Sequence, residues 1–234
     1  MIFFHIFVPT TSHNAMKYLS FFILLFIGEL SVSAQHMFSR QFPFFNQLSS
    51  NEIFSIHQDR EGYFWIGTTN GLARYDGYQL NTFRTDYKNQ NLLTDNGITA
   101  INDNDLYVWI GTWKGLNLYN KQTCRITPFS DARLLDKVVD AITVDKDGNV
   151  WVSAGGMIYR CDSTAHIIKE YEVGNIQEGY AISNIYVDQQ KQLWAVGSRG
   201  IFRYEPETDS FFRYPPLGNG PVSYTHLTLP TNSL

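Results

Sequence analysis

The sequence has little charge and few residues of the types that build common catalytic sites. Of its 234 residues, 17% are charged, and the net charge is −4. A nucleic-acid-binding protein normally presents a basic face, so this balance argues against that class. The sequence also lacks a phosphate-binding glycine loop, a Gly-x-Ser-x-Gly nucleophile elbow and a paired-cysteine site. His57, His166 and the other histidines have no metal-ligand spacing, so we predict no metal, no cofactor and no catalytic residue.

Long apolar runs are also scarce, and the main one lies near the N-terminus. From Met16 the sequence is MKYLSFFILLFIGELSVSAQ, with Lys17 before an apolar stretch at 18–27 and Val-Ser-Ala at 32–34. A positive start, a short apolar middle and small residues before a cleavage point are typical of a secretory signal peptide. A retained membrane anchor is the alternative, but spanning a bilayer takes roughly 20 apolar residues. We therefore predict a start at Met16, a signal peptide within residues 1–34 and export across the inner membrane.

The other end of the chain departs from the pattern of the rest. VSYTHLTLPT, residues 222–231, resembles the translated read-through of a sequencing adapter. We therefore expect residues 222–234 to be non-native and the natural protein to continue beyond Pro221.

A repeat of about 43 residues occupies the chain between these ends. YFWIGTTNGLARY (63–75) aligns with YVWIGTWKGLNLY (107–119), NVWVSAGGMIY (149–159) and QLWAVGSRGIFRY (192–204). Four tryptophans recur at the same position, and an aspartate precedes each by six residues. These are Trp65, Trp109, Trp151 and Trp194, with Asp59, Asp103, Asp145 and Asp188.

Each copy divides into four short apolar segments separated by turns. In the first copy these are IFSIHQ (53–58), YFWIGT (63–68), LARYD (72–76) and YQLNTFR (78–84). Asn-Gly and Asp-Gly between apolar segments are strong hairpin signals, because glycine accepts positive φ. A four-stranded meander repeated at this period is the blade of a β-propeller.

We therefore predict an all-β fold and a partial propeller over residues 35–221. It would contain four four-stranded blades and form part of an incomplete, seven-bladed ring. The repeats are placed at about 46–88, 89–131, 132–174 and 175–216. FSRQFPFF (38–45) resembles the fourth strand of a blade but has no partner strands, so we predict an orphan outer strand there.

The repeated residues receive structural roles. One indole per blade is predicted to be buried between adjacent sheets, and the aspartate is predicted to cap the turn between the first two strands. The third copy departs from the others, with a shortened turn between its second and third strands and with Tyr159 in place of the repeated tyrosine. Cys124 and Cys161 fall at different repeat positions, so we expect two separate buried thiols, with a disulfide as the alternative.

The residues LSSNEIFSIHQDREGYFWIGTTNGLARYDG (48–77) resemble the two-component regulator propeller repeat, and the later copies are similar. The resemblance covers roughly residues 38–216. It implies the periplasmic sensor region of a hybrid two-component system of the Bacteroidetes type. The parent protein would be membrane-anchored and homodimeric, with a histidine kinase or, in some relatives, a diguanylate cyclase as its output. Ligands in that family are commonly oligosaccharides.

The rim that carries the variable loops is the predicted ligand site, because variable loops on a rigid scaffold are where binding usually resides. Trp113 suits a sugar, whose ring faces stack on aromatics, but it could equally cover a neighbouring blade. The candidate ligand-binding residues are Asn70, Trp113, Lys114, Ser198, Arg199 and Tyr180.

Two other functions stay open at this level. An exported propeller enzyme acting on polysaccharide would need a convergent catalytic cluster at the channel. An envelope scaffold for protein interaction would need none.

Overall fold

The computed structural model describes residues 44–85, 92–173, 182–198 and 200–214. These residues form four antiparallel four-stranded sheets, each a meander in sequence order, and one short 3-10 helix at Phe45–Gln47. The predicted all-β propeller class is confirmed, whereas the seven-bladed ring stays a prediction. Within the described ranges, no helix is long and apolar enough to cross a membrane.

The sixteen strands follow the predicted order closely. Blade 1 contains β1 (Ile53–Gln58), β2 (Phe64–Thr68), β3 (Gly71–Tyr75) and β4 (Leu80–Phe83). Blade 2 contains β5 (Ile98–Asp103), β6 (Tyr107–Thr112), β7 (Gly115–Asn120) and β8 (Arg125–Pro128). Blade 3 contains β9 (Val139–Val144), β10 (Val150–Ala154), β11 (Met157–Cys161) and β12 (Ile167–Glu172). Blade 4 contains β13 (Ile182–Val187), β14 (Leu193–Gly197), β15 (Gly200–Glu205) and β16 (Ser210–Arg213).

Several predictions concern residues outside the described ranges. They are the signal peptide at 1–34 with its start at Met16, and the adapter-like segment at 222–234. Of the predicted outer strand at 38–45, only the last two residues are described. Phe44 lies in a turn and Phe45 begins the 3-10 helix, so these two residues are not in a strand.

The first strands of successive blades contact one another, so β1, β5, β9 and β13 are the innermost strands. Together they line a concave channel. The turns between second and third strands lie at one end of this channel, and the turns between first and second strands lie at the other. We call these ends the upper rim and the lower rim.

The predicted role of the repeated indole is confirmed in three blades. Trp65, Trp109 and Trp151 are at most 1% exposed. The ring of Trp65 lies 4.8 Å from Tyr119 of blade 2, and the ring of Trp151 lies 4.9 Å from Tyr204 of blade 4. Each indole therefore packs against the next blade along the chain and carries much of the apolar contact between blades.

The aspartate caps the lower-rim turn in blades 1, 3 and 4. In blade 1, one carboxylate oxygen of Asp59 accepts from the backbone N–H of Glu61 and Tyr63, at 3.0 and 2.9 Å. The other accepts from Trp65 Nε1 at 2.6 Å. Asp145 and Asp188 accept from Trp151 and Trp194 in the same way, each at 2.8 Å. One carboxylate thus fixes both the turn and the indole.

The predicted capping role of Asp103 is wrong. Asp103 pairs with Val108 within the sheet, so the turn is one residue shorter in blade 2 and Asn104 takes the capping position. Asn104 Oδ1 accepts from the backbone N–H of Leu106 and Tyr107. An aspartate has a second carboxylate oxygen that can accept from the indole, whereas the side-chain nitrogen of Asn104 can only donate. The buried Trp109 Nε1 therefore has no partner among the described residues.

The predicted irregularity of blade 3 is also wrong. Ala154 pairs with Met157 across a two-residue turn, the same length as the turn between Thr68 and Gly71 in blade 1. Because the turn is not shortened, Cys161 and not Tyr159 occupies the position of the repeated tyrosine.

The structure settles the state of the two cysteines. Cys161 is a buried free thiol, as predicted, and burial raises its pKa to about 12. Cys124 is also free but exposed, because it lies in the turn between β7 and β8 with φ at 55°. It was wrongly predicted to be buried.

Candidate functional site

The upper rim has a repeated construction in which each turn is fastened to the residues before the first strand. The first turn residue donates its backbone N–H to a carbonyl there: Thr69 to Glu52 and Trp113 to Gly97, at 3.2 and 3.1 Å. In blades 1 and 2 a buried threonine closes the turn from inside. Thr112 Oγ1, for example, donates to the Gly115 carbonyl at 2.8 Å. The rim is therefore a rigid platform for the turn side chains.

Trp113 occupies a defined place on this platform. Its indole lies flat against Gly97, where an added Cβ would come within 2.4 Å of the ring. Its ring also meets Phe54 of blade 1 at a centroid distance of 6.1 Å, edge to face. Trp113 thus covers part of a neighbouring blade, as one of the two interpretations proposed. It is still 44% exposed, and Phe54 is 56% exposed, so the two form an aromatic pair open to solvent.

The polar candidates of blades 1 and 2 lie beside this aromatic pair on the same rim. Lys114 follows Trp113, and its ammonium group is 3.9 Å from the carboxylate of Asp95. Asn70 takes the equivalent position in blade 1, where its side-chain amide donates to the carbonyl of Ser49 at 3.3 Å. Both residues are exposed turn residues available to a ligand.

The candidates from blade 4 are only partly described. Ser198 is exposed in the upper-rim turn of that blade. Arg199 and Tyr180 lie outside the described residues, so their predicted roles stay predictions.

Sequence reasoning missed a second feature of the upper rim, a β-bulge at the same place in every innermost strand. The pairing register slips between the first and third residues of β1, β5, β9 and β13. The residues at the slip are Phe54, Thr99, Asp140 and Ser183. Because a bulge re-aims its side chain, these four positions line the upper mouth of the channel. A period-two strand pattern does not signal a bulge, so only the repeat alignment could have suggested it.

Asp140 is the charged member of this set. Asp140 is exposed, and partial desolvation by its neighbours raises the pKa of its carboxyl above the ordinary value of 3.8. Beside it, Val139 accepts a hydrogen bond from Thr99 of blade 2. The mouth of the channel thus carries an aromatic pair on blades 1 and 2 and oxygen-bearing side chains on blades 2, 3 and 4.

The lower rim has a polar depression of about 450 Å³ at the opposite end of the channel. Its lining includes Arg60, Asn102, Thr143, Tyr186, Asp188 and Lys191. Asp103, which lies in β5 and not in the turn, also lines this depression.

Asp103 is the centre of an ion cluster between blades 1 and 2, and sequence reasoning missed it. Its carboxylate accepts from His57 Nε2 of blade 1 and from Lys121 Nζ of blade 2, both at 2.7 Å. It also accepts from the backbone N–H of Arg60 at 3.2 Å. His57 is therefore not the ordinary strand residue that the sequence suggested.

The cluster is nearly closed to solvent. The side chains of Asp103 and Lys121 are 5% and 6% exposed. Burial pushes the pKa of Asp103 upward, but the hydrogen bonds from His57 and Lys121 outweigh it and lower the pKa to about 2. Asp103 is therefore ionised at neutral pH, and its carboxylate links blade 1 to blade 2. Within the described residues, no group of three or more His, Cys, Asp or Glu side chains is placed to hold a metal ion.

Comparison with known proteins identifies the repeat. Residues 47–70 match the family model described as two component regulator propeller, which confirms the resemblance inferred from the sequence. No curated protein is similar enough in sequence to match.

Several solved structures share the fold. The extracellular domain of a one component system from B. thetaiotaomicron matches with a TM-score of 0.54 and 21% identity, over 66% of this chain and 21% of that chain. The extracellular domain of a hybrid two component system from the same organism gives 0.52 and 21%, over 74% and 31%. Virginiamycin B lyase from Staphylococcus aureus gives 0.57 and 19%, over 71% and 56%.

The chain thus spans between 21% and 56% of the length of these structures. At such identities the likeness establishes the fold alone, and this fold occurs both in extracellular domains of one and two component systems and in a lyase.

Proposed function

Because residues 47–70 match the family model described as two component regulator propeller, we propose that this chain is the ligand-sensing propeller segment of a two-component regulator. It works outside the cytoplasm, in the periplasm, and it responds to an oligosaccharide. The fold shared with two extracellular domains of B. thetaiotaomicron regulators supports this location and role.

The aromatic pair is the observation that supports a sugar ligand. Phe54 and Trp113 present two exposed ring surfaces within 6.1 Å of each other at the channel mouth. Sugar rings stack on aromatic faces through their C–H groups, and their hydroxyls need hydrogen-bonding partners nearby. Lys114 and Asp95 flank the pair and supply such partners.

The segment acts through a larger parent protein in this proposal. The parent is membrane-anchored and homodimeric and carries a histidine kinase. Ligand binding at the upper rim shifts the arrangement of the dimer and so the kinase output. Such a shift requires that the ligand bind one arrangement more tightly than the other.

Isothermal titration calorimetry of the chain against a panel of oligosaccharides tests the proposal. We expect heat of binding with at least one glycan and a loss of affinity of at least about tenfold in Trp113→Ala, equivalent to about 1.4 kcal/mol. The matched control is Tyr78→Ala, because Tyr78 is 91% exposed but lies in a lower-rim turn. Equal weakening by both substitutions would remove the upper rim as the site.

The same titration separates the sensor from the two alternatives. Turnover of a bound glycan, followed by chromatography of the products, would favour the exported enzyme. Absence of heat with every glycan would contradict the oligosaccharide ligand and favour the envelope scaffold.

A further inference from the structure

The face of blade 4 that points away from blade 3 exposes residues whose counterparts in the other blades are buried. Ile201 is 46% exposed, whereas its counterparts Leu72, Leu116 and Ile158 are at most 1% exposed. Phe212 and Tyr214 are 50% and 42% exposed on the same face, where Tyr214 meets the half-buried Trp194 at 5.3 Å. Blades 1 to 3 use this face to pack on the next blade. We call it the blade 4 docking face.

Close contact between blades depends on one small residue, two positions after the repeated tryptophan. It is Gly67 in blade 1 and Gly111 in blade 2. A Cβ added to Gly67 would come within 2.6 Å of Ile98 Cγ2, and one added to Gly111 within 2.7 Å of Val139 Cγ1. The opposing residue is in each case the first residue of the next innermost strand.

Blade 3 sets the upper limit on size at this position. Ser153 is fully buried there, opposite Ile182, and its hydroxyl donates to the Ile182 carbonyl at 3.1 Å. The blades therefore pair a glycine or serine on one side with an isoleucine or valine on the other.

Blade 4 breaks this rule. Val196 occupies the small position, as its pairing with Ile201 shows, and it is 39% exposed. A valine carries two methyl groups beyond the Cβ that already clashes at Gly67 and Gly111. A blade that begins its innermost strand with isoleucine or valine cannot approach this face to the usual distance. Overpacking of that kind is destabilising.

We propose that the blade 4 docking face binds a blade of the same repeat whose innermost strand begins with glycine or alanine. A large residue at position 196 and a small residue opposite it together fill about the same volume as the small and large pair at the other interfaces. Val196 is then the residue that discriminates between partners. It rejects a second copy of this chain, whose first innermost strand begins with Ile53, even though Ile53 is 39% exposed.

Sedimentation velocity of the full 234-residue chain tests this proposal. The variants remove the steric clash between Val196 of one copy and Ile53 of another by reducing either side chain. Ile53→Ala, Val196→Gly and Val196→Ser should each associate head to tail at least tenfold more tightly than the wild type. Removing exposed apolar atoms normally weakens association, so a gain is the signature of a relieved clash. Two independent sites keep the test decisive if one variant folds poorly, which circular dichroism would detect.

Ile56→Ala is the matched control. Ile56 lies on the same strand as Ile53 and is 63% exposed, but it is not opposite Val196. We expect association equal to or weaker than that of the wild type. The proposal is overturned if the wild type already associates as tightly as the variants, or if the folded variants at 53 and 196 behave like the control.

Discussion

At the scale of single residues, Asp103 illustrates how a one-residue deletion creates a new interaction. The shorter turn of blade 2 moves Asp103 from the turn into the strand, next to His57 of blade 1. Lys121 then completes a buried ion pair with it. Such a pair adds little net stability compared with apolar packing, but the loss of one partner leaves the other charge buried and unpaired.

Asp103→Asn should therefore destabilise the protein by about 3 kcal/mol at pH 7, because Lys121 stays buried without a counter-charge. The low pKa of Asp103 also makes this contribution dependent on pH. A carboxyl with a folded pKa of about 2 stabilises the fold above its ordinary value of 3.8, and this stability disappears as the pH falls toward 2. Urea unfolding between pH 7 and pH 2 measures both effects.

The control for this substitution is Asp105→Asn. Asp105 lies two residues after Asp103 and pairs with Arg60, but its side chain is 84% exposed. Exposed ion pairs contribute little, so we expect a change below about 1 kcal/mol. A loss of similar size in both variants, or the same acid sensitivity in Asp103→Asn as in the wild type, would contradict the buried ion pair.

Residue-level errors of sequence reasoning share a physical origin. Asp103 lies six residues before its tryptophan, like the capping aspartates, but spacing along the chain does not reveal which residues pair across the turn. Tyr159 was matched to the repeated tyrosine for the same reason, whereas register places Cys161 there. The indole positions were predictable because a large buried ring tolerates no substitute at a tight interface.

At the scale of strands and turns, the glycine two positions after each tryptophan in blades 1 and 2 sets the distance between sheets. The strand bounds themselves were predictable, since glycine and aspartate turns mark the ends of each apolar segment. The bulges of the innermost strands were not, because one extra residue is invisible to a period-two pattern. The aromatic pair depends on that bulge, and Phe54 was therefore missing from the predicted site.

Gly111→Ala tests the spacing between blades 2 and 3. The new Cβ would lie 2.7 Å from Val139 Cγ1, so we expect a loss of about 1–3 kcal/mol in the free energy of unfolding. In a Val139→Ala background the clashing methyl groups are absent, and the same substitution should cost at least about 1 kcal/mol less. Denaturant unfolding of the four proteins measures this coupling, and strictly additive effects would show that the two residues do not limit the distance.

At the scale of the whole molecule, the blades form a row in which each indole bridges to the next sheet. Trp65 lies in a core cluster with residues of blade 2, Trp109 with residues of blade 3 and Trp151 with residues of blade 4. Stability in such arrays is approximately a sum of blade terms and neighbour-interface terms. Damage at one interface should therefore stay local, and it should affect most the blade with the fewest neighbours.

Trp151→Ala should loosen blade 4 more than the other blades. The indole contacts Tyr204 and Phe211 of that blade, and its loss is expected to cost about 3–5 kcal/mol. Among the described residues, blade 4 packs on one neighbouring blade only, so this interface carries most of its support. Hydrogen exchange followed by mass spectrometry should show faster exchange in β13 to β16, while β1 to β4 keep their protection.

Trp194→Ala is the comparison for that experiment. Trp194 is only half-buried and meets no following blade within the described residues, so the same truncation should change exchange much less. Equal acceleration across all four sheets in Trp151→Ala would mean that the blades unfold as one cooperative unit. Because each buried indole contacts only one following sheet, we expect the faster exchange in Trp151→Ala to be confined to blade 4.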